Sequence, residues 1–194
     1  MVMEPVVLEG RWVRLEPLSL DHANALWTVS EDFELYRYKP YVLRSEDDLR
    51  HFIEQALEKH AAGTGLTFAT IARADDRPVG STGFHSADWP HRRIEIGGTW
   101  VTPAHQRTPI NTEAKFLMLT YAFETLGMLR VEFKTDSLNA KSRAALLRIG
   151  ATEEGIFRNH MVMPDGRSRH SVYYSIIDSE WPAVKARLEG FLAR

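Results

Sequence analysis

Apolar residues change their spacing several times along the chain, and each change marks a predicted element. Val6 to Glu16 is rich in β-favouring Val and Trp and predicts a strand. Ser19 then precedes Ala23, Leu26, Trp27 and Val29, which share one side of a helix. A second helix is expected from about Ser45 to Ala61. Ser45 and Asp48 form a capping-box-like start, Leu49, Phe52, Ile53, Ala56 and Leu57 make one stripe, and Gly63 and Gly65 stop it.

From Leu66 to Val101 the pattern turns to short β-rich runs, broken at Ala74 to Arg77 and at Ser86 to Arg92, which predicts a three-stranded meander. Helical spacing returns over Thr112 to Leu126 through Phe116, Leu119, Phe123 and Leu126, with Gly127 as the stop. A strand follows from Met128 to Thr135, its Leu129, Val131 and Phe133 on one face and Arg130, Glu132 and Lys134 on the other. Lys141 to Arg148 suits a short helix ending at Gly150. Two more strands flank the turn Pro164-Asp165-Gly166, and a last helix, capped by Ser179, carries the stripe Trp181, Val184, Leu188 and Leu192. No repeat or linker interrupts this order, so residues 1–194 read as one α/β (α+β) domain. A meander before a strand-helix-strand unit gives a mixed, mostly antiparallel sheet flanked by helices.

Composition narrows the classes of partner. The chain has 24 basic and 26 acidic side chains, a formal net charge of −2 and no long block of like charge, so neither nucleic acid nor an anionic membrane is indicated. No cysteine is present, which removes disulfides and thiolate zinc sites and fits a reducing cytoplasm. Met1 to Glu9 lacks the pattern of a signal peptide, and no later apolar stretch approaches membrane-spanning length, so a soluble cytoplasmic protein is expected. The 8 histidines show neither HExxH nor i, i+4 spacing, and no metal is expected.

The chemistry is concentrated between Arg93 and Ser142: a strand IEIGGTWV, a loop TPAHQRTPIN, a helix, a strand, and then SLNAKS. A loop feeding a helix start aims unpaired N–H groups and the positive end of the helix dipole at one point, which suits a pyrophosphate. Arg107 would add charge there. A gap between the two strands would leave main-chain donors and acceptors free for an extended, amide-bearing ligand such as pantetheine.

These residues resemble the cofactor-binding core of GNAT acetyltransferases, in particular the RimJ/RimL-like branch. The resemblance extends from about Leu8 to Trp181 and rests on Glu95-Ile96-Gly97, Pro103, Asn111-Thr112-Glu113, Lys134-Thr135-Asp136, Asn139 with Ser142, Gly150, and Pro164-Asp165-Gly166. It implies a GNAT fold and acetyl-CoA as co-substrate, held by Trp100, Val101, Gln106, Arg107, Thr108, Ile110, Asn111, Thr112, Asn139 and Ser142. It also implies transfer of the acetyl group to a primary amine, on a protein N-terminus or a small molecule, with Glu95 as base and Ser142 donating to the departing sulfur. A backbone N–H near Trp100 or Val101 would hold the oxyanion. Two departures stand out: the loop reads Gln106-Arg107-Thr108-Pro109-Ile110-Asn111 where the superfamily uses glycines, and Pro109 has no N–H for a phosphate. Leu146 occupies the position where a tyrosine often acts as general acid.

Each feature also has a plainer reading. Glu95 also reads as a solvated strand residue or one salt-bridged to Arg93 or Arg130, and Asn139 and Ser142 also read as helix caps. Tyr36, Tyr38 and Tyr41 either line an acceptor pocket or cover a core edge, and only one of Tyr173 and Tyr174 can face the site. His85, His160 and His170 lie on predicted strands, where each is a satisfied side chain or an alternative proton carrier. Glu31, Asp32 and Glu34 would attract a cationic acceptor or simply keep the surface soluble. The competing function is a non-catalytic acyl-CoA-binding or regulatory module, and a homodimer through the C-terminal strands is compatible with the pattern.

Overall fold

The computed structural model describes residues 3–193. The stretch expected to be one N-terminal strand is two, β1 (Leu8–Glu9) and β2 (Val13–Pro17), folded back on each other at Gly10. The cause is distant in sequence. The buried carboxylate of Glu113 accepts hydrogen bonds from the backbone N–H groups of Arg11 (2.8 Å), Trp12 (2.7 Å) and Val13 (2.8 Å), which bends the chain around it. A Cβ at Gly10 would collide with that carboxylate.

Ser19 introduces a 3₁₀ turn and helix α1 (Ala23–Ser30); α2 (Glu46–Ala61) begins as expected, with Ser45 Oγ accepting from the Asp48 N–H at 3.1 Å. The meander is β3 (Leu66–Ala72), β4 (Arg77–Asp88) and β5 (Arg93–Val101). The Trp-Pro loop is therefore shorter than expected, because β4 continues through Ser86 to Asp88. Helix α3 (Pro109–Thr120) starts three residues before the expected Thr112 and runs on into a π-helical turn to Thr125. Its most buried stripe is Ala114, Lys115, Met118, Leu119 and Ala122, rotated from the expected one; Phe116 and Phe123 only flank it. Then come β6 (Arg130–Asp136), α4 (Ala140–Ile149), β7 (Thr152–Val162), β8 (Ser168–Ile177) and α5 (Trp181–Leu192). Ser179 does not cap α5: it sits inside a 3₁₀ turn, where its N–H donates to Asp178 Oδ1 at 2.9 Å.

The strands make one sheet in the order β1-β2-β3-β4-β5-β6-β8-β7, antiparallel throughout except between β5 and β6. Helices α3, α4 and α5 cover one face over the main core, which includes Phe68, Phe84, Ile94, Val131, Phe133 and Tyr174. A second core, with Leu26, Ile53, Ala69, Ile71 and Trp100, lies on the opposite face under α1 and α2. No helix among the described residues is long and apolar enough to cross a membrane.

Candidate active site

The parallel ladder between β5 and β6 contains only the pairs Arg93–Arg130, Ile94–Val131 and Glu95–Glu132. Beyond Glu95, β5 bonds only to β4 and β6 only to β8, so the two strands part. The reason is local. Gly98 has a positive φ of 64°, and the β4–β5 register slips between Ser81 and Gly83, a bulge that turns the end of β5 away. After the bulge the Thr102 N–H donates to the Val79 carbonyl at 2.8 Å. Strand alternation then points the N–H of Val101, rather than that of Trp100, into the gap. The Trp100 side chain is buried under α1 and α2.

Both parallel strands feed helices whose N-termini open on this gap. Between β5 and α3 the loop is tied by its own side chains: Thr102 Oγ1 to His105 Nδ1 (2.8 Å), Thr108 Oγ1 to the His105 carbonyl (2.7 Å), and Gln106 Nε2 to the Val101 carbonyl (3.1 Å). Gln106 and Arg107 are exposed, Arg107 with φ 61°. Thr108 is the N-cap and Pro109 the first helical residue, the one place where a missing N–H deprives the helix of no bond. Ile110, Asn111 and Thr112 supply the remaining first-turn N–H groups. The Ile110 N–H bends toward Thr108 Oγ1 (3.4 Å), Asn111 Oδ1 is sealed without a partner, and Thr112 Oγ1 accepts from Arg148 of α4 at 2.6 Å. At the other helix Asn139 is the N-cap, its Oδ1 accepting from the Ser142 N–H at 3.1 Å, and both side chains are half-buried. Leu146 belongs to the main core.

At the closed end of the gap, Glu95 is 7% exposed, and its ion-pair partner is Lys134 (2.9 Å) rather than Arg93 or Arg130. Arg93 instead pairs with Asp88 (2.9 Å). His85 is the β4 residue opposite Glu95. A Cβ on Gly97 would lie 2.8 Å from Glu95 Oε1 and 3.2 Å from the His85 ring, so glycine makes room for both. His85 Nε2 is sealed with no hydrogen-bond partner, and burial pushes its pKa down, against the opposing pull of Glu95, which keeps it a neutral ring at neutral pH.

Two lysines that no motif in the sequence marks flank the bulge from opposite faces. Lys39 Nζ donates to the carbonyls of Gly98 (3.3 Å) and Thr99 (3.0 Å); burial, helped by the charge of Arg169, lowers its pKa to about 8. Lys115 Nζ donates to Thr82 Oγ1 (3.1 Å) and Thr99 Oγ1 (2.8 Å), and burial, with the charge of Lys39, lowers its pKa to about 7. The available signal was a lysine at i−3, i−4 and i−7 from Met118, Leu119 and Ala122, on the apolar side of its helix.

Other open alternatives resolve through packing. Tyr36 is buried and donates to the Ser30 carbonyl (3.1 Å), and Tyr41 packs between Tyr36 and Phe52, so both cover a core. Tyr174 is fully buried, whereas Tyr173 packs at a tilt against Phe157 (ring centroids 4.4 Å apart) and lies on the sheet face of Lys134 and Glu95. His160 Nδ1 bonds to Ser171 Oγ (3.0 Å), and His170 Nδ1 accepts from the Asn159 N–H (2.8 Å). Glu31, Asp32 and Glu34 are exposed.

Comparison with known proteins places this geometry. The sequence profile of the acetyltransferase (GNAT) domain matches residues 13–152. The uncharacterized N-acetyltransferase YoaA of Bacillus subtilis (strain 168) is 27% identical over 175 residues, covering 88% of this chain and 96% of that protein. A GCN5-related N-acetyltransferase from Brucella melitensis, known from its crystal structure, is 33% identical with a TM-score of 0.91, over 99% of this chain and 87% of that chain. Mycobacterium smegmatis RimJ, solved in complex with CoA-disulfide, is 23% identical and has the same fold, with a TM-score of 0.81 over 97% of this chain and 93% of that chain. The parted parallel strands, the two helix starts and these matches agree, and the chain belongs to the GNAT family of N-acetyltransferases.

Proposed function

We propose that the protein transfers an acetyl group from acetyl-CoA to a primary amine, of a protein N-terminus or a small molecule, by direct attack on the thioester. The observation that carries this reading is the β5–β6 ladder that stops at Glu95, with the N-termini of α3 and α4 at its open end. The residues present fit acetyl-CoA. The first turn of α3 offers the N–H groups of Ile110, Asn111 and Thr112, with Arg107 and Thr108 beside them, to the pyrophosphate. The free edge of β5 faces the pantetheine amides, and the Val101 N–H, Asn139 and Ser142 border the thioester end.

An alkyl amine with a pKa of about 10.4 arrives protonated and must lose that proton before it attacks. Glu95 takes it through Oε1, the oxygen beside Gly97, while Oε2 stays with Lys134. The nitrogen then forms a bond to the thioester carbon, and the Val101 N–H holds the oxyanion. When the tetrahedral adduct collapses the C–S bond breaks, the nitrogen gives up its second proton to the Ser142 oxygen as the Ser142 hydroxyl passes its own to the sulfur, and the sulfur leaves as the thiol of CoA. Lys115 is a positioning group here: by gripping Thr99 it fixes the strand turn that aims Val101.

Calorimetric titration with acetyl-CoA, beside Asn139→Ala and an Arg107→Ala, Thr108→Ala double variant, tests the co-substrate site. CoA release over a panel of amines then tests transfer. Saturable binding weakened by those changes is the expected result; no binding and no turnover would refute the proposal.

A further inference from the structure

Arg169 lies on β8, two residues from Ser171 and four from Tyr173, and therefore on the sheet face of Lys134 and Glu95. The residue is only 4% exposed. Its Nε donates to Ser171 Oγ at 3.0 Å and its Nη1 to the main-chain carbonyl of Tyr38 at 3.2 Å. Among the described residues no carboxylate pairs with it, since the two nearest in charge are committed elsewhere: Asp136 to Arg167 (2.6 Å) and Glu95 to Lys134 (2.9 Å). The charge next to it on the chain it grips is another cation, Lys39, whose ammonium rests on the carbonyls of the β5 bulge.

A buried guanidinium without a counter-ion is costly, and two neutral acceptors leave most of its five donors unused. Nη2 has no partner among the described residues. The sealed, unpartnered side-chain atoms among the described residues are Tyr41 Oη, His85 Nε2 and Asn111 Oδ1, so Nη2 keeps contact with solvent. The bond to Tyr38 sets the guanidinium one residue along the chain from Lys39, whose Nζ marks the bulge where acetyl transfer takes place. A planar donor fork in such a position matches a carboxylate.

We propose that Arg169 binds a carboxylate of the acceptor, so that the amine acetylated by this protein carries an acidic group within about one or two residues' length of its nitrogen. The carboxylate is either the main-chain one of an α-amino acid or the side chain of an acidic residue early in a peptide. The inference rests on the acetyl-transfer reading for what enters the cleft.

The test uses the full chain saturated with acetyl-CoA and matched acceptors: α-amino acids against their primary amides, and dipeptide amides with Asp or Asn in the second position. CoA release gives kcat/KM for each, and titration of the CoA-bound protein with the N-acetylated products gives affinity whether or not turnover occurs. We expect the carboxylate member of at least one pair to be favoured by about tenfold or more, mainly in KM. Arg169→Gln should bring that pair to near equality, and Arg169→Lys should keep part of the preference. The amino-acid and dipeptide arms separate the two sources of the carboxylate. A structural clasp on the Tyr38 segment predicts instead that Arg169→Gln weakens both members alike. That result, or no discrimination by the wild type in either measurement, overturns the inference. Failure of the acetyl-transfer reading is distinct, because it shows as absent acetyl-CoA binding.

Discussion

Lys115→Met keeps the side chain's length and removes its charge at a site where the charge is expensive. Lys115 is 6% exposed, its Nζ is held by the hydroxyls of Thr82 and Thr99, and no carboxylate pairs with it among the described residues. Burial, with the charge of Lys39 adding to it, brings its pKa down to about 7, against about 10.4 in the unfolded chain. Below the folded pKa both states bind the proton, and the fold bears the whole cost of the buried ammonium. Between the two pKa values the unfolded chain keeps the proton that the folded one has lost, so stability rises with pH. The limiting slope is about 1.4 kcal/mol per pH unit, and the rise from about pH 7 to about pH 9 is on the order of 2 kcal/mol. In Lys115→Met that rise should be lost, save a residue from Lys39, while Thr82 and Thr99 still bond to each other at 2.8 Å. Urea unfolding of both proteins at the two pH values measures the difference. An equal rise in both, or a flat wild type, would refute the argument that Lys115 is buried as a near-neutral amine.

Three further outcomes follow from the geometry. Glu95→Gln should lower kcat by about 10²- to 10⁴-fold with the acetyl-CoA dissociation constant unchanged, read by CoA release and calorimetry; undiminished kcat would remove Glu95 as the base. Gly97→Val drives a side chain into Glu95 Oε1 and the His85 ring, so activity should fall much further than unfolding temperature, and a fully active variant would show that the pair does not matter. Glu113→Ala releases three backbone N–H groups at the β1–β2 turn and should cost about 3 kcal/mol in urea unfolding, whereas a loss under about 1 kcal/mol would mean that the turn is held by other contacts.

The order of elements was legible in the sequence because local signals specify it. Ser45 caps α2, Gly150 follows the last turn of α4, Pro164-Asp165-Gly166 joins β7 to β8, and the Val131 and Phe133 alternation sets the inward face of β6. The stretch from Arg93 to Ser142 resembles the family through residues close in sequence, Glu95-Ile96-Gly97, Asn111-Thr112-Glu113 and Asn139 with Ser142. What tertiary structure alone decided were relations between residues far apart in number. Glu113 bends the chain at Gly10 because a buried carboxylate needs donors and the nearest three lie about 100 residues away. The β5–β6 ladder stops at Glu95 because a bulge opposite β4 turns one strand aside, and no periodicity records where pairing ends. Lys134 claims Glu95 because the parallel pairing puts both on one face, a registry that turns on how two strands meet. Lys39, Lys115 and Arg169 carry no sequence signal of their partners: folding buries Lys115 and Arg169 and half-buries Lys39, and desolvation lowers the pKa of each.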